Sequence, residues 1–213
     1  MTDGVNPQMI PETVDGGEEC KFQRPRALFR DPPCALPEVC GDEGTCVPAP
    51  INQDVGTVEV IGFKVPLSME SNGNNSYLNP PGLPHPEFET GASIRLKASG
   101  DTYPSFSLQG WGIEPFETMI DKPVVEENKP LEISWKPPLE ELPTRIRINL
   151  NVNNHGTSSG WINCVVPDTG SFAIPAELIS KLVDNGVPGF PSIIFHVKPR
   201  ILSKLDRAVS RCL

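Results

Sequence analysis

Basic residues are in deficit in this chain of 213 residues: 18 Lys and Arg stand against 27 Asp and Glu, a formal net charge of −9. Phosphate affinity comes from Lys and Arg neutralisation, so this balance excludes a general nucleic-acid binder. Histidine is scarce, with only His85, His155 and His196. No pair of them has the i, i+2 or i, i+4 spacing that sets two imidazoles on one metal ion, and no metal or other cofactor is expected. No apolar run approaches the 18 or more residues of a membrane-spanning helix. The opening Met1-Thr2-Asp3-Gly4-Val5-Asn6-Pro7 has neither the basic nor the apolar region of a signal peptide. There is no phosphate-binding P-loop and no D-x-D-x-D-G calcium loop.

Proline, by contrast, is abundant. Its 25 residues are more than twice the usual share of about 5%. Each interior proline costs a helix about 3 kcal/mol, which excludes a helical bundle and suits short strands joined by rigid turns. With 38% hydrophobic and 21% charged residues the chain is too apolar for disorder. Its length allows one or two domains with a proper core.

The six cysteines are Cys20, Cys34, Cys40, Cys46, Cys164 and Cys212. The first four follow C-x13-C-x5-C-x5-C, without the paired C-x2–4-C knuckles of a zinc site or the C-x-x-C of a redox centre. An even count with one dense cluster points to disulfides and hence to an oxidising compartment. Four cysteines allow three pairings, so the connectivity of the cluster stays open. Cys164 and Cys212 are expected to pair, clipping the tail to a strand, for about 4 kcal/mol.

Residues 1–19 are polar and rich in Gly, Pro and acids, as in a flexible leader. Residues 20–50 form a Cys-rich module, ending in the stiff Val47-Pro48-Ala49-Pro50. From there the pattern turns to period two. Runs at 57–62, 92–98, 105–109, 131–135, 145–152, 160–166, 171–174 and 192–197 alternate or read as apolar strands. The clearest places Ile146, Ile148, Leu150 and Val152 on one face. Pro167-Asp168-Thr169-Gly170 reads as a hairpin turn. Pro175 opens a short helix at 176–183, stopped by Asn185-Gly186. Beyond Pro199, Ile201, Leu202, Leu205, Ala208, Val209 and Cys212 recur at helical spacing, predicting a C-terminal helix. Many short strands separated by turns predict an all-β antiparallel sandwich, in regions 54–113 and 114–213 that form either two small sandwiches or one composite.

Pro130-Leu131-Glu132-Ile133-Ser134-Trp135-Lys136-Pro137-Pro138 with the strand after it resembles the B and C strands of a fibronectin type III or immunoglobulin-like domain, and residues 114–213 have its size. That resemblance implies a core role for Trp135. More broadly, Gly56–Gly62 (Gly-Thr-Val-x-Val-x-Gly), Leu131–Trp135 and the stretch from Cys164 to Leu178 (Cys-x-x-x-Asp-x-Gly, then Ile-Pro-Ala-x-Leu) resemble exported β-sandwich lipoproteins of the myxobacterial type. This implies an envelope location and a non-enzymatic character.

Asp168-Thr169-Gly170-Ser171 matches the catalytic loop of aspartic peptidases, but that chemistry needs two carboxylates sharing a proton, and the chain holds one such loop. A hairpin turn explains every residue of it. Trp111, between Gly110 and Gly112, and Tyr103 are candidate platforms for sugar rings, or else cover a core edge. The loops at 68–90 and 153–160, rich in Asn, Gly, Ser and Pro, are candidate contact regions. The sequence thus predicts a non-enzymatic protein that is exported (outer membrane-associated, periplasmic or extracellular) and contacts protein or polysaccharide at the cell surface. Its only expected membrane attachment is a lipid anchor ahead of residue 1. A carbohydrate-binding module using Trp111 and Tyr103 is the first alternative, and a peptidase at Asp168 the second.

Overall fold

The computed structural model describes residues 2–78, 81–119, 124–137, 144–153, 158–185, 190–199 and 202–203. In chain order its elements are β1 (Glu12–Gly16), β2 (Cys20–Arg24), β3 (Glu38–Cys40), β4 (Cys46–Pro48), β5 (Val58–Ile61), β6 (Leu67–Met69), β7 (Ser93–Ala98) and β8 (Phe106–Trp111). There follow β9 (Leu131–Ser134), β10 (Thr144–Asn153), β11 (Trp161–Pro167), β12 (Ser171–Ile174), α1 (Ala176–Asp184), β13 (Phe190–Pro199) and β14 (Leu202–Ser203). The fold is therefore mostly β, with antiparallel pairing and one short helix. Among the described residues no helix is long and apolar enough to cross a membrane.

The chain divides into two compact units. One takes residues up to Val5, Pro50–Glu114 and β14; the other takes Asn6–Ala49 and Pro115–Lys198. In the first unit the sheet order is β14-β8-β7-β5-β6. Alternation along β5 buries Val58 and Val60 and exposes Glu59 and Ile61. Val55, Val58 and Ala98 form the core, flanked by Met69, Tyr77, Leu96, Tyr103 and Phe106. Gly56 enters β5 at φ +72°, where an added Cβ would lie 2.1 Å from Ser99 Oγ and 2.6 Å from Gly100 O. That position needs the conformational freedom of glycine.

The second unit has a five-stranded sheet ordered β1-β2-β11-β10-β13 and a pair β12-β9. One face of the large sheet presents Phe22, Ile146, Ile148, Leu150, Ile162 and Val166 to a core shared with Leu131, Ile133 and Trp135 on and beside β9, Ile174 of β12, and Leu178, Ile179 and Leu182 of α1. The three helix residues fall on one stripe of the 3.6-residue repeat. Burying them contributes about 1.5–3 kcal/mol each relative to exposure, more than enough to hold a nine-residue helix with no side-chain N-cap.

Several expectations are corrected here. Cys164 bonds Cys20, not Cys212: the two face each other across the β2–β11 ladder with Cα atoms 4.0 Å apart. Residues 20–24 therefore belong to the large sheet and not to a separate Cys-rich module. Within the cluster Cys34 bonds Cys46, and Cys40 carries no disulfide among the described residues. Cys212 lies outside those residues. The expected leader contains β1, a strand exposed at every position; with no apolar side to betray it, it is held by its ladder with β2 and by the Glu12–Arg24 and Asp15–Lys181 ion pairs. The stiff linker begins inside β4. The turn at 167–170 is not a hairpin, since β11 stays in the large sheet while β12 pairs with β9. Leu202 and Ser203, expected in a tail helix, pair with Leu108 and Gln109 of β8; the rest of that expected helix lies outside the described residues.

Candidate functional site

The Asp-Thr-Gly loop is built into the core. Trp135, 1% exposed, donates its indole N–H to Asp168 Oδ1 at 2.7 Å, and the Thr144 hydroxyl meets Oδ2 at 2.9 Å. The Trp135 main-chain N–H also donates to Gly170 O at 2.8 Å. Both oxygens of the carboxylate thus anchor the turn that carries the chain between sheets. A buried indole N–H needs an acceptor, and Asp168 supplies it. The pairing spans 33 residues, so only the folded chain could show it.

Trp111 and Tyr103 do not come together. Tyr103 precedes β8 and packs beside the Val55–Val58 core, whereas Trp111 ends β8 opposite Ser93. The five residue-to-residue steps from Phe106 to Trp111 separate the strand ends by about 17 Å at about 3.3 Å per step. One sugar-stacking platform cannot use both. Of the histidines, His196 is exposed on β13 and His85 lies on a loop, while His155 is outside the described residues. Among the described residues no three metal-ligating side chains converge.

The loop expected at 68–90 begins with strand β6 and is then tied down by a polar knot. Asp54 accepts hydrogen bonds from the Ser71 hydroxyl, from Tyr77 OH at 2.7 Å and from the Gly56 N–H at 2.8 Å. These bonds, Ser71's foremost, hold its carboxyl below the ordinary range. Burial, with the neighbouring carboxylate, pushes the Tyr77 phenol upward. Further out, Asn72 Oδ1 accepts from the N–H groups of Asn74 and Ser76, and Asn52 and Asn75 bond across to the facing backbone. Residues 71–77 are therefore a fixed shape on a strand scaffold. The other expected contact loop, 153–160, falls largely outside the described residues.

A further polar surface is marked by no sequence motif. The face of the large sheet turned away from the core carries Gln23, Trp161, Asn163, Asn149 and Asn151 as ladder neighbours: Asn151 stands opposite Trp161, Trp161 opposite Gln23, and Asn149 opposite Asn163. Gln23 Oε1 accepts from Trp161 Nε1 at 3.3 Å and from Asn163 Nδ2 at 3.4 Å. Asn151 donates to Asn149 at 3.0 Å and accepts from the Ser192 hydroxyl at 2.7 Å. Arg147 and Arg145 continue the row along β10, and Lys21 lies opposite Asn163. The signal was present in the alternation of 145–151, whose polar positions read simply as the solvent side until strand pairing set them beside Trp161. No family model, curated protein or solved structure matches this chain.

Proposed function

We propose that this is a non-catalytic protein of the cell envelope or the extracellular space that works by binding or structural interaction at the cell surface. The observation that carries this is the Cys20–Cys164 bond, which joins two core strands 144 residues apart in sequence. A disulfide at the centre of a fold forms and persists in an oxidising compartment. Asp168 as an anchor for Trp135, and not as half of a catalytic pair, supports the non-catalytic character. The pinned 71–77 loop supports a recognition role, because binding surfaces favour loops held by a rigid scaffold. We take the fold as an antiparallel β-sandwich, its second region of immunoglobulin or fibronectin type III kind with Trp135 at its centre, related to exported lipoproteins of the myxobacterial type. The proposed partner is a protein or polysaccharide of the surface, with a lipid anchor as the only membrane attachment.

Fractionation of cells producing the protein tests this. Recovery in the envelope or medium with both disulfides oxidised is expected. Recovery in the cytosol with reduced cysteines overturns the proposal.

A further inference from the structure

We infer that the outward face of the β1-β2-β11-β10-β13 sheet binds an acidic polysaccharide, with Trp161 stacking a sugar ring, the amide row bonding hydroxyls, and Arg147, Arg145 and Lys21 meeting carboxylates. This rests on the binding role proposed above and names its ligand class. The first support is charge segregation. In a chain with 27 acids and 18 bases, the described strand residues of this face include Lys21, Arg145 and Arg147 and no Asp or Glu, the nearest acid along β2 being Glu19 just ahead of it, whose carbonyl accepts from the Val165 N–H. The six ion pairs of the described residues all lie elsewhere, and none uses these three cations. Lys21 and Arg145 are exposed, while Trp161, Asn163, Asn149 and Arg147 keep partial solvent access. Cations with no ion-pair partner among the described residues, on an otherwise acidic protein, concentrate anions at that face.

The second support is bonding capacity held in reserve. Arg147 Nε and Asn163 Oδ1 are shut off from solvent and have no hydrogen-bond partner among the described residues. Buried polar atoms nearly always have one. Because Arg147 and Asn163 themselves keep partial solvent access, a small rotation of either side chain would present this spare donor and acceptor to a ligand that carries both partners, as a hydroxylated uronate does. The third support is shape. Neighbouring strands lie about 4.8 Å apart, and an extended sheet face with one indole and flanking amides offers successive contacts along a chain. Nucleic acid is also anionic, but it presents bases that call for several stacking aromatics, and the described residues of this face hold one.

Native gels cast with alginate or polygalacturonate, beside gels with dextran or single-stranded DNA, test the inference on the full chain. Retardation by a uronate polymer alone is expected, weakening as salt rises from 50 to 200 mM. Arg145→Gln/Lys21→Gln, at exposed positions that leave the core untouched, should weaken it at least fivefold. Trp161→Ala should weaken it at least tenfold, and Trp111→Ala should leave it unchanged. Absence of retardation in the uronate gels, equal retardation by DNA or dextran, or binding indifferent to both variants overturns the inference. If crosslinking at the cell surface then captures a protein partner, the binding role stands without the glycan; if it captures nothing, both fall.

Discussion

Replacing Cys20 and Cys164 together by alanine should cost the second unit about 5 kcal/mol, more than removing the Cys34–Cys46 bond. The bond closes a sequence separation of 144, whereas Cys34–Cys46 closes 12. On the chain-entropy relation these spans correspond to about 5 and about 3 kcal/mol at 25 °C, through restriction of the unfolded chain. Cys20 and Cys164 are also core residues, 4% and 0% exposed, so truncation adds the loss of packed sulfur. A domain's whole stability is about 5–15 kcal/mol, which leaves the variant marginal at room temperature. Urea unfolding followed by tryptophan emission reads this directly, because Trp135 is buried in the same core. With a slope of about 1–3 kcal/mol/M, the midpoint should fall by roughly 2 M or more, and clearly further than in Cys34→Ala/Cys46→Ala. Equal shifts in the two double variants would falsify the argument, since the difference in loop span is its content. Non-reducing peptide mapping that joined Cys164 to Cys212 would remove its premise.

Asp168→Ala should cost about 1–3 kcal/mol by stranding a buried indole N–H, and Asp168→Asn, which keeps an acceptor, less than half of that in the same urea assay. Equal losses would show that Trp135 does not depend on the acceptor. Asp54 is held below its ordinary range, so the support it gives the 71–77 loop is complete above the unfolded-chain value near pH 3.9 and is lost as pH falls through the lower folded value. Amide exchange in that loop should therefore accelerate only below about pH 4 once corrected for intrinsic rates; acceleration between pH 5 and 7 would contradict this. Gly56→Ala should destabilise the first unit by more than about 1 kcal/mol, measured by thermal unfolding, because its Cβ meets Gly100 O at a positive φ.

The sequence by itself determined the β architecture. Where one face is buried and the other is not, alternation is written residue by residue, and the runs at 57–62, 92–98 and 145–152 became β5, β7 and β10. The helix expected at 176–183, and found at Ala176–Asp184, was equally legible, since Pro175 before it and Asn185-Gly186 after it are local signals. The cysteines announced disulfides but not their partners, because pairing depends on which strands meet. β1 stayed hidden because an exposed edge strand needs no apolar pattern and is held by backbone bonds to a neighbour. The polar face was split for the same reason: Gln23, Trp161 and Asn149 are neighbours only through ladders between strands far apart in the chain. Tertiary structure alone decided those juxtapositions, including Asp168 under Trp135 and Cys20 against Cys164. Local sequence determines what each segment becomes, while long-range pairing determines which side chains share a surface.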